Sequence, residues 1–157
     1  MTGDYDALKG TFLWAACVLL VVAGIIIAVL AGRPSNALAV PAGYHVATVV
    51  ETNYRIAGPT TLPAGKYEFV VKNRGESAHE LVVFQTKDPA SALPLRKDGD
   101  VDEESDQLTS VLDTGSSLDP GETRIVFADL TVPGHYVMVC NLPQHYRFGM
   151  RVDLNVS

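Results

Sequence analysis

The residues whose types and spacing point most directly to chemistry lie in one stretch, Cys140-Asn141-Leu142-Pro143-Gln144-His145-Tyr146-Arg147-Phe148-Gly149-Met150. A thiol, an imidazole and a thioether recur there as Cys-x4-His-x4-Met. Thiolate and thioether are soft donors, and imidazole binds copper in both oxidation states. Two His and one Cys in a trigonal set, with a weak axial Met, hold copper for one-electron transfer. One ligand is missing from the stretch, a second histidine. His79 fits, because it opens the run HELVVF just after the turn at Asn73 to Ser77. Pro143 argues against a helix in the stretch, so a strand–loop–strand connection is expected to gather Cys140, His145 and Met150 around one point.

Taken singly, Cys140 and Met150 read as core residues and His145 as a loop residue; their joint spacing carries the metal reading. A structural zinc site would want a fourth Cys or His in place of Met. A binuclear copper site needs a second nearby Cys. A multicopper oxidase needs further His beside the Cys, and Val139 and Asn141 flank Cys140 instead. Asp98, Asp100 and Asp102 imitate the start of a calcium loop, but Glu103 stands where the loop glycine belongs and Thr109 where the bidentate Glu belongs. His45 and His135 read as ordinary strand-edge histidines, and Met138 as core. No catalytic arrangement appears.

The elements that must position these ligands read as short strands between turn signals. Tyr44 to Ile56 is β-branched and aromatic-rich. Lys66 to Asn73 alternates, with Tyr67, Phe69 and Val71 on one face. His79 to Gln85, Glu122 to Leu130 (Ile125 and Phe127 sharing a face), His135 to Cys140 and Met150 to Val156 follow, and Pro-Gly and Asn-x-Gly signals punctuate them. The pattern predicts an all-β, antiparallel sandwich. Thr86 to Asp119 is a polar, acidic insertion. One short helix is expected in it, capped by Asp100 with Glu103 completing a capping box, its apolar stripe being Val101, Leu108, Val111 and Leu112.

Residues 1–32 read as an N-terminal membrane anchor or signal segment, 33–43 as a Pro-containing linker, and 44–157 as the globular domain. Phe12 to Ala31 is apolar and uncharged. At about 1.5 Å per residue in a helix it matches a bilayer core of roughly 30 Å. Its length favours an uncleaved transmembrane anchor. The other reading is a secretory signal peptide cut near Ala39, at Ala37-Leu38-Ala39. Either one, acting as an export signal, places the domain outside the cytoplasm: a single-pass cell-membrane protein, or a secreted one. Cys17 lies inside the apolar run, so Cys140 has no structural disulfide partner and calls for another explanation, which a metal supplies. The net charge is −6, and nucleic acid is not an expected partner.

PGHYVMVCNLPQHYRFGM resembles the C-terminal signature of the cupredoxins, the plastocyanin/azurin family of type 1 blue-copper proteins, and NRGESAHELVVF resembles their upstream Asn-x-Gly…His strand. The resemblance covers about Tyr44 to Ser157, and the x4/x4 spacing is rusticyanin-like. It implies a Greek-key β-sandwich with one type 1 copper ion held by His79, Cys140, His145 and Met150. It also implies single-electron shuttling between redox partner proteins, such as a cytochrome or an oxidase. The exposed His145 edge would be the electron port, and Leu142, Pro143, Tyr146 and Phe148 an apolar docking patch. A copper carrier or delivery protein on the same fold is the alternative. Two features depart from the family pattern: Glu80 after the first His, where many members carry Asn or Ser, and the length of the acidic insertion.

Overall fold

The structure, a computed structural model, describes residues 40–157. The apolar run 12–31, the linker up to position 39 and the Ala39 cleavage site lie outside the described residues. The compact unit Val40–Ser157 contains nine strands: β1 Tyr44–Thr52, β2 Arg55–Ala57, β3 Thr61–Leu62, β4 Gly65–Asn73, β5 Val82–Gln85, β6 Thr109–Asp113, β7 Thr123–Leu130, β8 Gly134–Val139 and β9 Arg151–Val156. They form two sheets, a four-stranded one in the order β2-β1-β4-β7 and a five-stranded one in the order β3-β9-β8-β5-β6. The all-β sandwich expected from the turn-punctuated strands is therefore present.

The expectation of purely antiparallel pairing needs correction. β1 runs parallel to β4, and β3 runs parallel to β9. Parallel neighbours need a crossover rather than a hairpin. The chain leaves β1 through the β2 hairpin, enters the other sheet as β3, and only then returns as β4 alongside β1. The strand expected over His79 to Gln85 is also shorter and begins at Val82. His79 instead exchanges two backbone hydrogen bonds with Leu118, donating at 3.1 Å and accepting at 2.6 Å.

Alternation places the core as the sequence predicts along β4, where Tyr67, Phe69 and Val71 are buried. They pack across the sandwich against Val83, Tyr136, Met138 and Leu154. On β7, Ile125 and Phe127 do share a face, but it is the outer one. Ala128 and Leu130 fill the core, while Phe127 lies exposed, edge-on to Tyr44 at 5.3 Å.

A second apolar cluster covers the other face of the five-stranded sheet. Val82 and Phe84 of β5 and Val137 and Val139 of β8 meet Ala90, Leu93, Val101 and Leu108 from the insertion, together with Tyr146. β5 and β8 are thus buried on both faces, which is why LVVF and YVMVC read as unbroken apolar runs rather than alternating ones. The helix expected in the insertion is absent: among the described residues the chain forms no helix at all. The Asp100 carboxylate, which was to cap that helix, accepts from the Gln144 N–H at 3.0 Å instead. The segment around it folds into turns closed by Gly99 N–H to Arg96 O and Ser105 N–H to Asp102 O. Val101 and Leu108 are buried as single anchors, Leu112 belongs to β6, and no helical stripe connects them.

Candidate metal centre

Three of the four expected ligands converge at one end of the sandwich. Cys140 directly follows β8, His145 lies in the loop between β8 and β9, and His79 precedes β5. The Nδ1 atoms of His79 and His145 are 3.3 Å apart, and Cys140 Sγ is 3.2 Å from His145 Nδ1. All three donor atoms lie within 4.8 Å of one another. Such separations suit donors sharing one ion at bond lengths of about 2.0–2.3 Å. Met150 is fully buried in the same core cluster as Cys140. Its backbone joins both loop ligands: Cys140 N–H donates to Met150 O at 3.0 Å, and Met150 N–H donates to His145 O at 3.1 Å.

The electrostatics suit a cation. Burial pushes the Cys140 thiol up to about 12, with the Glu51 and Glu80 charges adding to the rise. The N–H of Glu80, 3.4 Å from Sγ, and that of Leu142 oppose it. A positive ion in contact with the sulfur would displace that proton. Burial lowers the pKa of His79, helped by His145, and burial also lowers that of His145, against the pull of Asp100. Both shifts favour the neutral imidazole, the form that ligates. The other ring nitrogen of His79 points away from the donor cluster, toward Gly75. His79 is fully buried, and its Nε2 has no partner. That nitrogen lies so close over Gly75 that a Cβ there would sit 2.6 Å from it, so only glycine leaves room for the ring.

The insertion builds the outer wall of the ligand loop. Asn141, next to the cysteine, accepts from Val101 N–H at 2.7 Å and donates to Val101 O at 3.1 Å and to Glu103 Oε1 at 2.6 Å. Gln144 donates its backbone N–H to Asp100. The expected docking patch changes with it. Tyr146 is buried, not exposed: its hydroxyl donates to Ala90 O at 2.8 Å and accepts from Leu93 N–H at 3.2 Å, so it anchors the second core. Leu142 is half-buried against the main core, whereas Pro143 and Phe148 are exposed.

Four residues near the centre are missing from the sequence-derived set: Glu51, Tyr54, Gly75 and Asn141. Tyr54 packs edge-on to His145 at 5.5 Å and against Phe148 at 4.8 Å. Its signal was the Asn53-Tyr54 pair, a turn dipeptide inside a run that reads as one strand. His135 and His45 are not part of the centre. His135 bridges Thr86 O and Asp153, and His45 packs on Tyr67.

No family model matches the chain, and no curated protein sequence matches it. Solved structures do. Dithionite-reduced auracyanin from the photosynthetic bacterium Roseiflexus castenholzii is 19% identical with a TM-score of 0.55, over 74% of this chain and 98% of that one. Auracyanin A, described as a "blue" copper protein from Chloroflexus aurantiacus, is 17% identical with a TM-score of 0.52, over 73% and 100%. Rusticyanin from Thiobacillus ferrooxidans is 16% identical with a TM-score of 0.55, over 73% and 78%. At such identities the likeness speaks for architecture, and Val40–Ser157 has the cupredoxin fold that the auracyanins and rusticyanin share.

Proposed function

We propose that the chain is a type 1 copper protein that carries single electrons between redox partners. The observation that carries this reading is the convergence of His79 Nδ1, His145 Nδ1 and Cys140 Sγ within 4.8 Å. These three would hold the ion, with the buried Met150 thioether as a further, weaker donor; copper so held would supply a reversible one-electron couple. The chain's own work is to keep that donor set unchanged in both states. Leu118 fixes the His79 backbone, Asn141 ties the cysteine end of the loop to Val101 and Glu103, and the Glu80 N–H holds the sulfur.

Complete burial of His79, Cys140 and Met150 favours an electron carrier over a protein that hands its ion on, because release would require opening the core. An electron would enter or leave at the half-exposed His145, and a partner such as a cytochrome or an oxidase would dock on the face carrying Pro143, Phe148 and Tyr54. The apolar run 12–31 supports a single-pass anchor with the copper domain outside the cytoplasm. The deciding experiment is an absorption and EPR spectrum of the purified full-length chain loaded with Cu(II) in detergent micelles. An intense visible band with a narrow copper hyperfine splitting is expected; a colourless complex would sink the type 1 reading.

A further inference from the structure

The β1–β2 hairpin reaches the centre although it supplies no ligand. Its strands pair from Val50↔Ala57 to Thr52↔Arg55, leaving Asn53 and Tyr54 as a two-residue turn. Tyr54 adopts a left-handed backbone with φ 59°, at the second turn position, where glycine or asparagine is favoured. A bulky side chain there is strained, and strain of this kind persists where the surroundings hold it and tends to gather at working sites. Among the described residues only one other non-glycine residue has positive φ: Gln144, at 71°, immediately before His145. Both strained residues thus border the same imidazole.

The strained turn also has a support. Asn53 Oδ1 accepts from Glu76 N–H at 2.9 Å, which fastens the hairpin tip to the segment leading into His79. From that tip the Tyr54 ring stands edge-on to His145, with ring centroids 5.5 Å apart and planes at 85°, and it leans on Phe148 at 4.8 Å. His145 is the ligand with the fewest restraints. It is half-exposed, whereas His79, Cys140 and Met150 are fully buried, and the hydrogen-bond partners of its ring are other ligands. Its outward side is walled by Tyr54.

We propose that Tyr54 is a positioning residue that fixes the His145 imidazole by edge-on aromatic packing, the left-handed turn being the backbone cost of aiming its ring. The role rests on the copper reading for its purpose, but the packing itself does not need the metal. An aromatic edge against an imidazole restrains ring tilt without taking up a nitrogen, which leaves both nitrogens to the ligand shell and the electron path.

Tyr54→Gly is the informative variant, because glycine accepts the left-handed turn and removes only the ring. Tyr54→Phe keeps the ring and serves as the conservative control. In the metal-free full-length chain, NMR of the His145 side chain is expected to show one fixed ring orientation in the wild type and in Tyr54→Phe, and averaged orientations in Tyr54→Gly. After loading with Cu(II), the single EPR species of the wild type and of Tyr54→Phe is expected to split into at least two in Tyr54→Gly. A Tyr54→Gly variant indistinguishable from wild type in both measurements overturns the proposal, as does Tyr54→Phe shifting as far as Tyr54→Gly. If the wild type shows no type 1 signal, the copper reading fails, and the metal-free NMR comparison still decides whether Tyr54 positions His145.

Discussion

Burial takes both oxygens of the Glu51 carboxylate out of solvent without giving either a hydrogen-bond partner. That desolvation, with the neighbouring Glu80 charge, pushes its pKa from 4.5 up to about 7. A carboxyl that binds its proton more tightly when folded stabilises the fold fully below about pH 4.5. That contribution is lost as pH rises to about 7 and stays lost above it. At about 1.36 kcal/mol per pH unit of difference, the loss is on the order of 3 kcal/mol. His79 and His145, with lowered pKa, act in the opposite sense, so the test is the stability difference between the metal-free wild type and Glu51→Gln, which denaturant melts should show shifting by that amount between pH 5 and pH 8. Parallel pH profiles for the two proteins would refute the assignment. Ala47, Val49 and Glu51 share one parity along β1, but Val46 and Val50 make the other parity as apolar, so only the fold shows that the carboxyl is on the core face. The grouping of Cys140 with His145 was legible, since the two sit at fixed spacing in one loop, and the fold brings His79 to them. For the ligands, Cys140→Ser is expected to abolish the visible band while the fold persists, and Met150→Leu to retain copper at a higher potential, read by voltammetry.

At the scale of elements, the acidic insertion matters more than its composition suggests. It reads as a solvated appendage because Asp and Glu crowd it, yet Val101 and Leu108 are buried and its backbone meets the ligand loop through Asn141 and Gln144. What the sequence leaves hidden is the partner of each polar group. Asp100 and Glu103 have the spacing of a capping box, and only the fold shows that they face Gln144 and Asn141 instead. The unbroken apolar runs of β5 and β8 were the available clue that something covers their second face. Asn141→Ala leaves Val101 N–H buried without its partner, at a cost of about 1–3 kcal/mol. The expected outcome is a lower melting midpoint together with a broadened copper spectrum, because the cysteine end of the loop loses its tie. A lowered midpoint with an unchanged spectrum would confine the brace to stability.

At the scale of the whole molecule, the net charge of −6 gives the chain a negative field that acts over roughly a Debye length, about 8 Å at physiological salt. Electron exchange with a basic redox protein should therefore slow as ionic strength rises, and oxidation by an anionic reagent such as ferricyanide should quicken. Stopped-flow rates at several salt concentrations check both, and a flat or inverted dependence would exclude charge steering. The ligand loop itself has a consequence at this scale. Cys140 and Met150 are joined by a hydrogen bond at its neck, one step beyond the last β8–β9 pair, Val139↔Arg151. The strand register is thus closed before the loop begins, whereas the loop's own residues answer to the insertion, through Asn141 and Tyr146, so register and loop packing are set by separate contacts of one chain.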